Sequence, residues 1–460
     1  MTALVPVNDY TAFLERKQPI VPSSGIDVDD EDIHESLFPF QRDLVRWALR
    51  KGRSAIFATT GMGKTRMQLE WARLTGLPTL LVAPLAVAQQ TVREAEALGI
   101  DLVYARSQDG AGPLTITNYE MVSKFDARQF GAVVLDESSI LKAHDGKTRT
   151  ALIEQFARTP YRLCCTATPA PNDTAELANH AEFLGILSRV EMLAMFFVHD
   201  DEGWRLKGHA REPFYRWLAS WGMSLQKPSD LGYDDGAYLL PPLSIEPMIL
   251  PTNYVPAGQL FATSLKGITD RAAVRKSTVG TRTRAAAEWI NADNGEPWIA
   301  WCGLNDEARE LTKLIPDAVN VEGSMAPDAK ADALLRFAAG EIRVLVSKPS
   351  IAGFGMNFQH CARMVFVGLG DSYEQYFQAI RRCWRFGQTR PVKAVIVLTE
   401  PEEAIYANVL RKEREAQAMA DELVKHVAHY ERAEIGHAAQ TVAYEPAVPM
   451  VLPQWLECAA

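Results

Sequence analysis

The chain has 460 residues, too many for one hydrophobic core and enough for two domains with additions. Its 47% hydrophobic and 23% charged residues are those of a soluble globular protein, and no apolar run reaches the ~18 residues of a membrane span. The net charge of −9 does not advertise a nucleic-acid binder, although a groove that tracks phosphates needs only local basic stripes.

The first residues lack the basic start and apolar stretch of a signal peptide. Six scattered cysteines show no metal-ligand spacing and read as reduced core thiols of a cytosolic protein, in a bacterial or phage-infected host cytoplasm. Residues 1–30 form an N-terminal extension. Beyond them, short apolar runs alternate with helical patterns, the signature of parallel α/β units. Strands are predicted at 55–58, 79–83, 114–117, 132–135 and 162–166, and again at 298–302, 318–321, 344–347, 364–367 and 392–398. Two series of similar spacing imply two stacked α/β domains, at 31–240 and 241–434. The aromatic-rich segment 174–230, with Phe196, Phe197, Trp204, Phe214, Tyr215, Trp217 and Trp221, is expected to be a helical insertion whose rings form its core; stacking on bases is the alternative. Pro241–Pro242 marks a boundary, because proline is disfavoured inside helices. A charged helix is predicted from Glu402 to about Glu434, followed by a tail over 435–460. Basic stretches lie at 271–284 (Arg271, Arg275, Lys276, Arg282, Arg284) and 381–393 (Arg381, Arg382, Arg385, Arg390, Lys393). Each reads as a solvated face that permits phosphate contact.

Residues 55–58 read as a strand that runs into Thr59, Thr60, Gly61, Met62, Gly63, Lys64 and Thr65, and then into a helix. Strand, glycine loop and helix are the context a phosphate-binding loop needs: glycines let backbone N–H groups face phosphate oxygens, and the helix N-terminus favours negative charge. Lys64 would reach the β- and γ-phosphates of ATP, and the Thr65 hydroxyl would bind Mg²⁺. Ala58 stands in place of the pattern's first glycine. The buried strand 132–135 ends in Asp136 and Glu137, where the metal needs a second anchor and a water needs a base. Asp136 would hold Mg²⁺ and Glu137 would activate the water, from the strand taken to lie beside that of the phosphate loop.

These motifs and their order resemble superfamily 2 helicases, and among them the Swi/Snf-like DNA translocases, over about residues 37–414. The resemblance implies two tandem RecA-like domains with an ATP site between them, a helical insertion and a C-terminal helix. It implies that Gln41, after Phe40 and ahead of Trp47, contacts adenine, and that Gly355 in the run from Gly353 to Asn357 lines the interdomain cleft. Nucleic-acid backbone contacts are implied at Pro84, Asn118, Lys142, Gly323, Ser324 and Ser347. Thr166 and Thr168 fall in the motif that couples hydrolysis to strand movement. The run from Gln378 to Gln388 implies that Arg382 and Arg385 reach the γ-phosphate. Three residues apart, they would share a helix face. Two departures stand out: Asp136-Glu137-Ser138-Ser139 lacks the histidine common at its fourth position, and the aspartate-tryptophan-asparagine-proline stretch of the group is reduced to Asp371, Ser372 and Tyr373. The compact chain looks like a phage or bacterial member.

The function expected is a nucleic-acid-stimulated ATPase, most simply a translocase on double-stranded DNA, using ATP and Mg²⁺. An RNA- or single-strand-directed helicase, a binding module without catalysis, and a subunit whose protein partner supplies specificity remain as alternatives.

Overall fold

Near-continuous runs of apolar residues form strands that are buried on both faces, as a parallel sheet covered by helices requires. In the computed structural model of the chain these runs build two sheets. The structure describes residues 20–142, 146–170, 174–200, 203–252, 275–293, 295–352, 357–370 and 372–436.

The first sheet contains β1 (Arg53–Ala58), β2 (Thr79–Ala83), β3 (Val103–Tyr104), β4 (Leu114–Asn118), β5 (Ala132–Asp136), β6 (Tyr161–Thr166) and β9 (Gly222–Leu225). Their spatial order is β3-β4-β2-β5-β6-β1-β9, with every pairing parallel. Alternate residues serve opposite faces: Phe57, Val82, Leu135 and Cys164 enter one buried cluster, and Ile56, Leu81, Val134 and Cys165 the other. The second sheet contains β10 (Leu243–Leu250), β11 (Trp298–Cys302), β12 (Ala318–Val321), β13 (Val344–Ser347), β14 (Arg363–Val367) and β15 (Val392–Thr399), in the order β10-β15-β14-β11-β13-β12, again all parallel. The expected two parallel-sheet α/β domains, with helices and a long C-terminal helix, are present.

The aromatic segment is only partly helical. Helices Leu177–Leu184, Arg189–Phe196 and Arg211–Ala219 surround an antiparallel hairpin of β7 (Phe197–Asp200) and β8 (Gly203–Leu206), and the segment closes on β9 at the edge of the first sheet. Phe196, Phe197, Phe214, Tyr215, Trp217 and Trp221 are buried and pack edge-to-face or tilted against one another, so these rings serve a core and not a nucleic-acid base; Trp204 is exposed.

The basic stretches form structural ion pairs more than solvated faces. Arg282 is fully buried between Glu307 and Glu402, and Arg275 approaches the same two carboxylates. Arg390 pairs with Glu296, and Lys393 pairs with Glu246 while lying over the Trp289 ring. Arg271 lies outside the described residues.

The C-terminal helix, Glu403–Gly436, begins in the second sheet's core through Ile405 and Val409 and ends against the first through Leu423 and Val427. Tyr215 stacks on His426, and Lys51 pairs with Glu434. Glu431 is buried and accepts the Ser224 N–H at 2.5 Å, which joins the helix to β9. The five described cysteines are buried and unpaired, and among the described residues no helix is long and apolar enough to cross a membrane.

Burial pushes the Glu431 carboxyl well above the usual range, with Asp230 adding to the shift and Ser224 and Arg432 opposing it. An acid whose folded-state pKa is raised binds its proton more tightly in the native protein, so the associated stability is present below the unfolded value of ~4.3 and is lost as pH rises. Glu431→Gln should therefore gain melting temperature relative to wild type between pH 5 and pH 8, as measured by scanning calorimetry. A difference that does not vary with pH would refute the titration.

Candidate nucleotide site between the two sheets

Strand β1 ends at Ala58, and the turn to the helix Lys64–Leu74 uses the left-handed glycines Gly61 (φ 94°) and Gly63 (φ 79°). Only glycine adopts these angles without strain. Gly63 also lets Gln41 approach: a Cβ there would stand 2.2 Å from Gln41 Nε2. Lys64 Nζ donates to the carbonyls of Ala58 (2.8 Å) and Thr59 (3.4 Å), which turns its ammonium into the loop. The Thr60 hydroxyl is buried without a partner.

The strand beside β1 is β6, not β5, so the acidic pair is one strand further away than the sequence suggested. The gap is bridged from the helix that follows the loop. Gln68 Nε2 donates to Asp136 Oδ1 at 2.7 Å, and the Tyr119 hydroxyl from the end of β4 donates to the Asp136 carbonyl at 2.6 Å. Glu137 has φ 51°, the only positive φ at a non-glycine among the described residues. Such a conformation costs on the order of 1 kcal/mol and is commonly held at functional positions. Burial pushes the carboxyls of Asp136 and Glu137 up and the Lys64 ammonium down, and the opposite charges partly restore each other.

The second sheet supplies cations to the same place. Arg382 is buried and held by Gln378, through Nε to the carbonyl (3.1 Å) and Nη2 to Oε1 (2.6 Å). Burial lowers its pKa, while the charges of Glu137 and Asp136 oppose that shift, so Arg382 faces the acidic pair. Burial and the neighbouring Arg382 likewise push Arg385 down. A Cβ built on Gly61 would lie 3.1 Å from the Phe386 nitrogen and 3.8 Å from Arg385 Cβ, so the arginine segment rests against the phosphate loop. Arg385 Nε is buried without a hydrogen-bond partner. A cavity of about 380 Å³ opens beside this contact, lined by Thr59–Met62, Tyr238, Arg381 and Phe386 among others.

This cradle has the chemistry of a nucleotide triphosphate site: glycine turns, a helix N-terminus, a lysine, two carboxylates, and arginines from a second domain. An SNF2-related domain model matches residues 40–192 and a helicase conserved C-terminal domain model matches 283–387, together more than half of the chain. The chain belongs to the superfamily 2 helicases of the Swi/Snf-like group. It is 27% identical over 38% of its length to the SWI/SNF-related matrix-associated actin-dependent regulator of chromatin subfamily A-like protein 1 of Xenopus tropicalis, of which it covers 20%. It is 27% identical over 32% of its length to the ATP-dependent helicase rhp16 of Schizosaccharomyces pombe, covering 22% of that protein. Protein p41 of Acyrthosiphon pisum secondary endosymbiont phage 1 is 24% identical over 77% of this chain and 89% of its own length. The chain thus spans about a fifth of the two eukaryotic relatives and most of the phage one.

The Swi/Snf-like candidates for other roles are placed unevenly. Gln41 is buried, with both ends of its amide engaged: Oε1 accepts the Phe38 N–H (3.0 Å) and Nε2 donates to the Met62 carbonyl (2.9 Å). In this geometry it braces the loop. Asn118, Thr166 and Ser347 are buried and hydrogen-bonded internally, to Tyr104, to the Thr168 N–H and to the Val321 carbonyl. Their side chains face inward. The Thr168 hydroxyl is buried without a partner. Gly323 and Ser324 sit in a turn where Ser324 donates to Glu322 and Lys330 donates to the Gly323 carbonyl. Gly355 lies outside the described residues. Pro84 and Lys142 line a second cleft of about 770 Å³, with Arg93, Arg106, Glu137 and Lys330 on its walls.

Sequence reasoning missed several residues at the site. Gln68 and Tyr119 fix Asp136, but neither carries a signal outside the folded chain. The missing histidine has a neighbour in space: His180 Nε2 lies 3.1 Å from the Ser138 hydroxyl, and burial pushes its pKa down to about 4, which keeps it neutral. Tyr238 and Phe386 stack at 4.5 Å beside Gly61 and Met62, joining the two domains at the cavity wall.

Gly63→Ala tests the cradle. The added methyl would strain a left-handed residue and displace the Gln41 amide, so affinity for a fluorescent ATP analogue should fall at least about tenfold in a titration. Unchanged affinity would remove the loop from the binding site.

Proposed function

We propose that the protein is an ATP-driven motor on nucleic acid, most specifically a translocase on double-stranded DNA. The reading is carried by one observation: the Arg385–Phe386 segment of one domain rests against the phosphate loop of the other, with Arg382 within electrostatic reach of the acidic pair. Hydrolysis would then depend on closure of the interdomain cleft, and differential affinity for open and closed forms turns ATP turnover into motion.

In this mechanism Lys64 holds the β- and γ-phosphates, and Arg382 and Arg385 neutralise charge that develops on the transferred group. Thr65 and Asp136 would hold Mg²⁺, which would supply positive charge to offset that of the phosphates. Their set suits that ion, since Mg²⁺ takes one or two protein oxygens and fills its remaining positions with phosphate and water. Glu137 orients and deprotonates the attacking water, and its pKa, raised by burial, strengthens it as a base. The cleft with Pro84, Arg93, Arg106, Lys142 and Lys330 supports a phosphate backbone as the track. A further relative, of Mus musculus, bears the name DNA annealing helicase and endonuclease ZRANB3, which favours DNA. The phage relative supports a bacterial or phage-infected host cytoplasm as the place of action.

ATP turnover should rise several-fold on addition of duplex DNA, more than on single strands or RNA, and the rise should weaken with salt as counterion release predicts. One rate with and without every nucleic acid would end the motor reading. A greater response to RNA or single strands would redirect it to the helicase alternative.

Two substitutions probe the chemistry. Glu137→Gln should lower kcat by at least about a hundredfold while ATP still binds. Arg385→Ala should cost on the order of 10³ in kcat with little change in nucleotide affinity measured in the absence of nucleic acid. Full turnover by either variant would remove that side chain from the catalytic step.

A further inference from the structure

Both departures from the group's sequence pattern lead to the same spot. Ser139 stands at the fourth position of the acidic motif, and Glu374 follows the reduced stretch that ends at Tyr373. Across the cleft the Ser139 hydroxyl donates to Glu374 Oε1 at 3.2 Å, and the Lys142 ammonium pairs with Glu374 Oε2. Glu374 is the second residue of the helix Tyr373–Ile380 in the second domain, whereas Ser139 and Lys142 belong to the turn after β5 in the first. The pair is partly exposed, at 38% for the lysine and 16% for the glutamate side chain.

All three residues line the 770 Å³ cleft together with Glu137, Arg93, Arg106 and Lys330. A carboxylate that accepts from a lysine and a hydroxyl makes the same contacts as a phosphate oxygen.

We propose that Glu374 is an internal competitor for nucleic-acid phosphate: it occupies Lys142 and Ser139 from the opposite domain until a strand in the cleft takes the lysine from it. The inference rests on the reading of the cleft as the nucleic-acid track. It makes Glu374 a positioning residue that acts through Lys142 on nucleic-acid affinity.

The test measures equilibrium binding of a labelled DNA duplex by fluorescence anisotropy at fixed salt, for wild type, Glu374→Gln, Lys142→Gln and the double variant. Glu374→Gln should tighten Kd about three- to fivefold, the range open to a partly exposed ion pair. Lys142→Gln should weaken binding, and adding Glu374→Gln to it should bring no further gain. Glu374→Asp, which keeps the carboxylate, should stay near wild type; this arm carries the test if the glutamine variant is poorly folded. Unchanged or weaker binding by Glu374→Gln, a gain that persists without Lys142, or an aspartate variant that behaves like the glutamine one would overturn the proposal. The outcomes separate from those of the function itself: wild type that binds no nucleic acid overturns both, whereas wild type that binds while Glu374→Gln leaves Kd unmoved overturns this inference alone.

Discussion

Charges held away from water at the seam between two sheets set the terms for the rest of the molecule. Asp136 and Arg382 are buried, Lys64 and Glu137 half-buried, and each finds its compensation in the others. Removing any one leaves an opposite charge uncompensated in a poorly hydrated place, which is costly on its own. A polyphosphate is the kind of ligand that such a set can receive, because it meets the lysine and arginines with negative oxygens. On the proposed reading the acids would then be left to a metal and a water.

The supporting structure follows from this constraint. Side chains that carry the charges are fixed by neighbours with no charge of their own: Gln68 and Tyr119 on Asp136, Gln378 on Arg382, Gln41 on the loop. Neutral amides and hydroxyls can be buried at lower cost than ions provided that they are hydrogen-bonded. The left-handed backbone at Glu137 belongs to the same economy of position, since it takes the chain off the strand between two fixed side chains.

Legibility in the sequence tracked how local each feature is. Strands Trp298–Cys302, Ala318–Val321 and Val344–Ser347 have the bounds their apolar runs predict, because buried parallel strands leave an unbroken hydrophobic signature. Strand Leu243–Leu250 escaped notice: it carries Pro247 and polar Ser244 and Glu246, which an edge position tolerates and a central one does not. Strand Gly222–Leu225 is four residues inside an aromatic run, too short to show a period. At the site, the phosphate loop and the acidic pair were readable because each is contiguous. The placement of β6 between β1 and β5, the neutral His180 beside Ser138, and Glu374 opposite Lys142 arise from contacts between separate parts of the chain, and no spacing encodes them.

The C-terminal helix has a mechanical consequence. Val409 is rooted in one core and Val427 in the other, and the 18 residues between them span roughly 27 Å of continuous helix at 1.5 Å per residue. A rod anchored at both ends resists stretching far more than swivelling. If the two halves move as the proposed motor requires, rotation about its anchorages is the travel such a rod would favour.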